Sequence, residues 1–209
     1  MTSGNPPARQ RIVAGAADMI SRRGLTATSI REMAKHAGAP LGSTYHYFPE
    51  GKQQLATEAI RHTGETIARS LRKELRAGPA AGLSAFLAMW RTIVVDTNFR
   101  AGCPVLAVAV EEPPADETPP ALAAAAETFQ EWEDLLAASL HEHGADPDQA
   151  DQAATLIVAA VEGTVAMCRA KRSIEPLDRT AEQLHQLIHS LIRQREEADT
   201  DHAPPKSRP

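Results

Sequence analysis

The sequence predicts an all-α protein in two parts, a small N-terminal three-helix unit and a larger helical bundle behind it. Three observations carry this expectation. Apolar residues recur at three- and four-residue intervals over most of the chain, the spacing that gathers side chains on one helix face. Alanine, the strongest helix former, is abundant. No stretch alternates β-branched or aromatic residues with polar ones for long enough to make a strand.

Taken in order, Ile12, Ala16, Met19 and Ile20 share one face of a first helix, which should stop at Gly24, where glycine takes a left-handed cap at no steric cost. Ser29 and Glu32 have the spacing of a capping box and open a short second helix that ends at Ala37-Gly38. Pro40 is well tolerated in the first turn of a third helix over residues 40–47. A long fourth helix is expected from residue 52 to about 76, ended by Gly78-Pro79, and a fifth over about 83–98. Gly102-Cys103-Pro104, a short apolar segment to Val110 and a loop with four prolines over residues 112–120 follow. Helices are then expected over 121–143, with Gly144 as the stop, and from Asp146-Pro147 to about 171. A last one over about 179–195 carries Leu184, Leu187, Ile188, Leu191 and Ile192 on one face. The polar tail is expected to be disordered. The domain division is therefore 1–50, 51–196 and a tail over 197–209.

Charge is unevenly spread. Residues 1–62 hold eight Lys or Arg against four Asp or Glu, a net +4, whereas the remainder nets −9, so that the chain as a whole carries −5. A basic head on an acidic body suits a nucleic-acid reader joined to a regulatory domain. Two cysteines, Cys103 and Cys168, cannot build a disulfide framework or a four-thiolate zinc site, and a reducing cytoplasmic location is expected. The start, MTSGNPPARQRI, has no apolar signal stretch, and the most apolar windows, around 103–110 and 153–166, read as too short for a bilayer, so no membrane is expected.

Short helices separated by a glycine turn are the geometry of a helix-turn-helix. A third helix of eight residues is too short to stand alone, so Ile12, Ala16 and Met19 are expected to brace it against Ile30, Met33, Ala34 and Tyr47 or Phe48. The run Thr28-Ser29-Ile30-Arg31-Glu32-Met33-Ala34-Lys35-His36-Ala37-Gly38, followed by Gly42-Ser43-Thr44-Tyr45-His46-Tyr47-Phe48, closely resembles the TetR family of repressors. The chain departs from that pattern with Ser29 for the second threonine, Thr44 for the usual leucine, and Pro49-Glu50-Gly51 before Lys52. The extra residue before that lysine, with Gly102-Cys103-Pro104 later, resembles the branch of LmrA-type drug-responsive repressors. The likeness covers residues 9–60 and is only architectural beyond them.

The resemblance implies a homodimeric repressor that binds a palindromic operator in double-stranded DNA and is released by a small apolar or amphipathic effector. On that reading the Thr28, Ser29 and Ser43 hydroxyls join helix N-terminal amides on phosphates and fix the register. Leu41, Gly42, Thr44 and Tyr45 lie on the exposed start of the recognition helix, with Leu41 or Thr44 touching thymine methyls and Gly42 allowing close approach. Tyr45 and His46 clamp the sugar-phosphate chain, and Lys52 neutralises a phosphate as a point charge. Tyr47 and Phe48 are assigned to the core, and Arg22 and Arg23 to a solvated face. With no Arg, Asn or Gln on the third helix, shape and methyl contacts should supply much of the specificity.

In the body, a two-fold interface is expected from Val158, Val161 and Val165 on one helix with Leu184, Leu187 and Leu191 on the next, although some of these must also finish the core. An effector pocket is expected from Met89, Trp90, Ile93, Leu106, Phe129, Trp132, Met167 and Cys168, which include most of the aromatic and sulfur side chains outside the head. Roughly half of these should only pack. Glu133 and Glu162 sit on mostly apolar helices; each could pair with a cationic ligand, a salt bridge or a solvated face being the plainer reading. His185 and His189 have the spacing of two metal ligands without a third, and read as surface histidines. There is no nucleophile with an adjacent base, no glycine-rich phosphate loop and no metal constellation, so neither catalysis nor a cofactor is expected.

Overall fold

The computed structural model describes residues 7–113 and 118–201, with side chains as far as residue 192. Among these residues the regular structure is entirely helical. α1 (Ala8–Arg23), α2 (Ile30–His36) and α3 (Leu41–Tyr47) form the head; α4 (Lys52–Glu74) leads out of it into a 3-10 turn at Leu75–Ala77. The body continues with α5 (Pro79–Asp96), α6 (Pro104–Ala109), α7 (Pro120–Glu142), α8 (Pro147–Lys171) and α9 (Glu175–Asp201).

The caps follow local chemistry. α1 stops at Gly24, at φ +80°. Ser29 and Glu32 close a full capping box on α2: the Glu32 amide donates to Ser29 Oγ, and the Ser29 amide and hydroxyl donate to the Glu32 carboxylate at 2.9 and 2.7 Å. Four body helices start on proline, at Pro79, Pro104, Pro120 and Pro147, where the missing N–H costs nothing. Two of these starts differ from the expected ones. α5 begins at Pro79 because the helix picks up directly after the 3-10 turn, with Gly82 packed so close to Leu75 that a Cβ would stand 2.1 Å from its side chain. The apolar segment after Cys103 is itself a helix, α6, too short to show a period. α9 begins at Glu175, four residues early, and runs to Asp201, so residues 197–201 continue the helix; 202–209 lie outside the described residues.

α4 is the spine. It packs along α7, where Gly64 lets the two axes approach: a Cβ there would meet Thr128 at 2.7 Å. The same glycine's carbonyl accepts the indole N–H of Trp132 at 3.2 Å. Phe86, Trp90, Phe129 and Trp132 meet edge to face with centroids 5.7–6.3 Å apart. One apolar cluster runs unbroken from Ile12 in the head to Ile188 in the body. The two parts therefore share a core, and a shift of α1 against α4 is felt in both.

α8 corrects two expectations. It is long and apolar enough, by length and composition, to cross a membrane, and half of its most apolar stretch is buried in the body. Val158, Val161 and Val165, together with Leu184 of α9, are buried within the subunit, and Leu187 and Leu191 are half-buried. The four buried side chains close the α8–α9 core and have no surface left for a partner. The outward face of α8 is a different set: Leu156, Ala159, Gly163, Ala166, Met167 and Ala170 are all exposed, at helical spacing.

Candidate nucleic-acid interface and ligand cleft

The head is built around close backbone approach. Gly15 of α1 faces Ala37, whose Cβ would stand 2.8 Å from any side chain at position 15, so α1 can lie directly on the turn between α2 and α3. Gly38 makes that turn at φ +63°. Asp18 of α1 binds both Arg22 at 2.8 Å and His36 of α2 at 2.7 Å. Burial alone would raise the Asp18 pKa, but the hydrogen bonds from Arg22 and His36 outweigh it and hold the carboxyl below its usual value.

α3 is pinned from behind. Thr44 is fully buried and its hydroxyl donates to the Pro40 carbonyl at 3.1 Å; Phe48 is fully buried, with the Arg9 guanidinium 5.3 Å from its ring centroid. Thr44 is therefore a core residue and not a reader of thymine methyls. The same holds for Thr28, which is buried and gives its hydroxyl to the Leu25 carbonyl at 2.8 Å, leaving none for a phosphate. Ser29, Leu41 and Ser43 are half-buried, while Gly42, Tyr45 and His46 are exposed. Beyond its chain neighbours and the local helix backbone, nothing lies within 4 Å of where a Cβ on Gly42 would be, so the start of α3 is open to a close partner. Tyr47, assigned above to the core, is instead 36% exposed and meets His46 edge to face at 5.5 Å. Leu41, Thr44 and Phe48, spaced i, i+3, i+7, are the inward stripe; that spacing would have put Tyr47 outside. Lys52, half-buried at the start of α4, has its ammonium 3.5 Å from the Thr26 carbonyl, beside the turn that leads into α2.

The body grips this head at the end of α1. The Glu111 carboxylate accepts from the Leu25 and Thr26 amides and the Thr26 hydroxyl, at 2.5–3.1 Å. Gly102 N–H donates to the Ser21 carbonyl at 3.2 Å, and Arg169 donates to the carbonyls of Arg22 and Arg100 at 3.2 and 3.1 Å. Nothing in the composition or periodicity of the sequence singles out Glu111 or Arg169.

Beside that grip lies a cleft of about 530 Å³ between α1, α4, α5 and residues 101–104. Of the expected pocket residues, Met89, Trp90 and Ile93 line it. Trp132 and Cys168 are buried in the core; Leu106 and Phe129 pack against it half-buried. Met167 points outward, 48% exposed. These five do not line the cleft: Leu106 lies further along α6, Phe129 and Trp132 on α7, and Met167 and Cys168 on α8. Glu162, read above as a candidate partner for a cation, is instead buried, with the Cys103 thiol as its polar neighbour. No group of three metal-ligating side chains exists among the described residues.

Known proteins agree with this architecture. Residues 12–59 match the family model for bacterial regulatory proteins of the tetR family, and residues 79–183 match the C-terminal domain of LmrA/YxaF-like transcriptional regulators. An HTH-type transcriptional regulator of Mycobacterium tuberculosis is 38% identical over 190 residues, 90% of this chain and 97% of that protein. The HTH-type transcriptional regulator LmrA of Bacillus subtilis is 30% identical over 171 residues, 81% and 90% of the two chains. In fold, the crystal structure of a regulatory protein TetR from Rhodobacter sphaeroides superposes with a TM-score of 0.75 at 23% identity, covering 86% of this chain and 98% of that one. These relatives are regulators and not enzymes. The chain is a helix-turn-helix transcriptional regulator and belongs to the TetR family, with an LmrA/YxaF-like C-terminal domain.

Proposed function

We propose that the protein is a cytoplasmic homodimeric repressor that reads a palindromic operator through two copies of α3 and leaves it when a small apolar or amphipathic effector binds. The observation that carries this reading is the division of α3: Thr44 and Phe48 anchor it inward while Gly42, Tyr45 and His46 stand outward. A seven-residue helix held so firmly presents its side chains in one geometry. The net +4 of residues 1–62 supplies the phosphate attraction. A single head covers only a few base pairs, and two heads about 34 Å apart would read a palindrome. The dimer contact fits the outward α8 face of Leu156, Gly163 and Met167 better than the buried valines.

The test is fluorescence anisotropy with DNA segments from the gene's own neighbourhood across a salt series. Tight binding to one palindromic segment, with a steep salt slope that Tyr45→Ala combined with Lys52→Ala flattens, is the expected result. Equal binding to random DNA, unchanged in that variant, would overturn the reading.

A further inference from the structure

We propose that Glu111 is a positioning residue for operator binding: its carboxylate, seated in the turn between α1 and α2, fixes the angle of the reader on the body and so the half-site spacing that a dimer accepts. The inference rests on the repressor reading, since spacing has meaning only for two heads on one palindrome.

Glu111 follows α6, and its amide donates back to the Val108 carbonyl at 3.3 Å. Its side chain crosses to the head. There Oε1 accepts the Leu25 amide at 2.5 Å and the Thr26 amide at 3.1 Å, while Oε2 accepts the same Thr26 amide at 2.9 Å and the Thr26 hydroxyl at 2.6 Å. Successive amides in a turn form a concave nest for an anion, and Gly24, at φ +80°, opens this one. Glycine is also required by space, because a Cβ at position 24 would stand 2.5 Å from Oε1. The carbonyls of the turn are occupied as well. That of Thr26 lies 3.5 Å from the Lys52 ammonium, and that of Leu25 accepts the amide and the hydroxyl of Thr28 at 3.1 and 2.8 Å. Residues 25–28 are thus tied on every side, and they lead straight into Ser29, the N-cap of α2.

The other polar ties between body and head act elsewhere: Gly102 and Arg169 hold the carbonyls of Ser21 and Arg22, within α1 itself. Those bonds fix the axis of α1, whereas the Glu111 carboxylate fixes the step from α1 to α2, on which the placing of α3 depends. In a dimer each head must present α3 where its half-site lies. Two inserted base pairs move the second half-site about 7 Å along and about 70° around the duplex axis, and a head held by Glu111 does not follow. Electrostatics alone give this residue the opposite sign. An acid that shares Thr26 with Lys52, on a basic head, repels phosphates, so its neutralisation would tighten DNA binding. A loss of affinity on neutralising Glu111 therefore reports positioning.

The experiment compares the full chain with Glu111→Gln, which keeps the shape but exchanges one acceptor for a donor, and with Glu112→Gln, a charge control on its exposed neighbour. Each is titrated by fluorescence anisotropy with the operator segment and with the same segment carrying two base pairs inserted between its half-sites. Backbone hydrogen exchange and thermal melting are read without DNA. Glu111→Gln should bind the operator about tenfold more weakly than the parent. The insertion should weaken the parent about a hundredfold, as the second head is lost, and Glu111→Gln only about tenfold. The Leu25 and Thr26 amides should exchange faster in that variant, with the rest of the fold protected as in the parent. Thr26→Val removes one of the three donors; it should show a milder form of the same change, and its effect should not add to that of Glu111→Gln. Glu112→Gln should bind both DNAs at least as well as the parent. Operator affinity at or above the parent's in Glu111→Gln, an unchanged penalty for the insertion, or unchanged exchange at Leu25 and Thr26 would overturn the inference and leave the repressor reading intact. A parent that prefers no segment over random DNA defeats the repressor reading, and the inference falls with it.

Discussion

Thr44 and Tyr45 are adjacent in the chain and opposite in role. The family motif identified both as recognition-helix residues, because a motif fixes residue types in order and not the angle at which each leaves the helix. Burial decides the matter. Thr44→Val keeps the shape and removes only a hydroxyl bonded to the Pro40 carbonyl, so operator affinity should stay within about threefold of the parent. Tyr45→Ala removes a half-exposed ring and should cost more than tenfold in the same anisotropy assay. Comparable losses for the two would place Thr44 back on the DNA face. Glu162 was legible as an oddity on an apolar helix, but only the structure shows it buried. Desolvation pushes its pKa up to about 8, partly eased by the neighbouring Cys103 thiol, so the folded protein keeps the proton at neutral pH. The unfolded chain releases that proton near pH 4.5. Stability from this group is thus full below pH 4.5 and lost as the pH rises to about 8, at about 1.4 kcal/mol for each pH unit. Glu162→Gln should flatten this fall in urea melts between pH 5 and 8 and be the more stable protein at pH 8. Parallel curves for the two proteins would show that the carboxyl is not held protonated.

At the scale of elements, the starts and stops were largely written in the sequence, because Gly24, the Ser29–Glu32 box and Pro147 act locally. What was not legible depends on distant partners. α6 has six residues, too few for a period, and its existence follows from packing on α1 and α7. The α4–α7 crossing was equally hidden, since Gly64 looks like a flaw in a long helix until Thr128 is seen against it. In isolation, replacing that glycine by alanine would favour the helix by about 1 kcal/mol. In the fold the added methyl would stand 2.7 Å from Thr128, and such overpacking costs about 1–3 kcal/mol. Gly64→Ala should therefore lower the thermal midpoint. Adding Thr128→Ala should recover most of the loss, since the two changes act on one contact. Additive losses in the double variant would mean that the crossing is not what requires glycine.

For the whole molecule, apolar periodicity alone does not separate a core face from an interface face. Val158, Val161, Val165 and Leu184 are apolar because they build the subunit's own core, and a core face and an interface face give the same helical period. The face that remains outward on α8 is distinguished by small residues. Ala159, Gly163, Ala166 and Ala170 form a shallow stripe, with Leu156 and Met167 exposed beside it. Such a surface lets the same helix of a second subunit approach closely about a two-fold axis, burying both long side chains. Gly163 offers a clean test, because beyond its chain neighbours and the local helix backbone nothing in its own subunit lies within 4 Å of where a Cβ would stand. In a lone subunit Gly163→Arg points into solvent and should leave the fold's circular dichroism and melting intact. In a dimer that meets on α8, the two guanidinium groups would face one another across the axis in a space built for hydrogen. The parent should therefore sediment with the mass of two chains and Gly163→Arg with the mass of one. Operator affinity should fall by two orders of magnitude or more, because the second head no longer arrives with the first. If Gly163→Arg sediments as a dimer and binds operator as the parent does, the subunits meet elsewhere and α8's small-residue face is free surface.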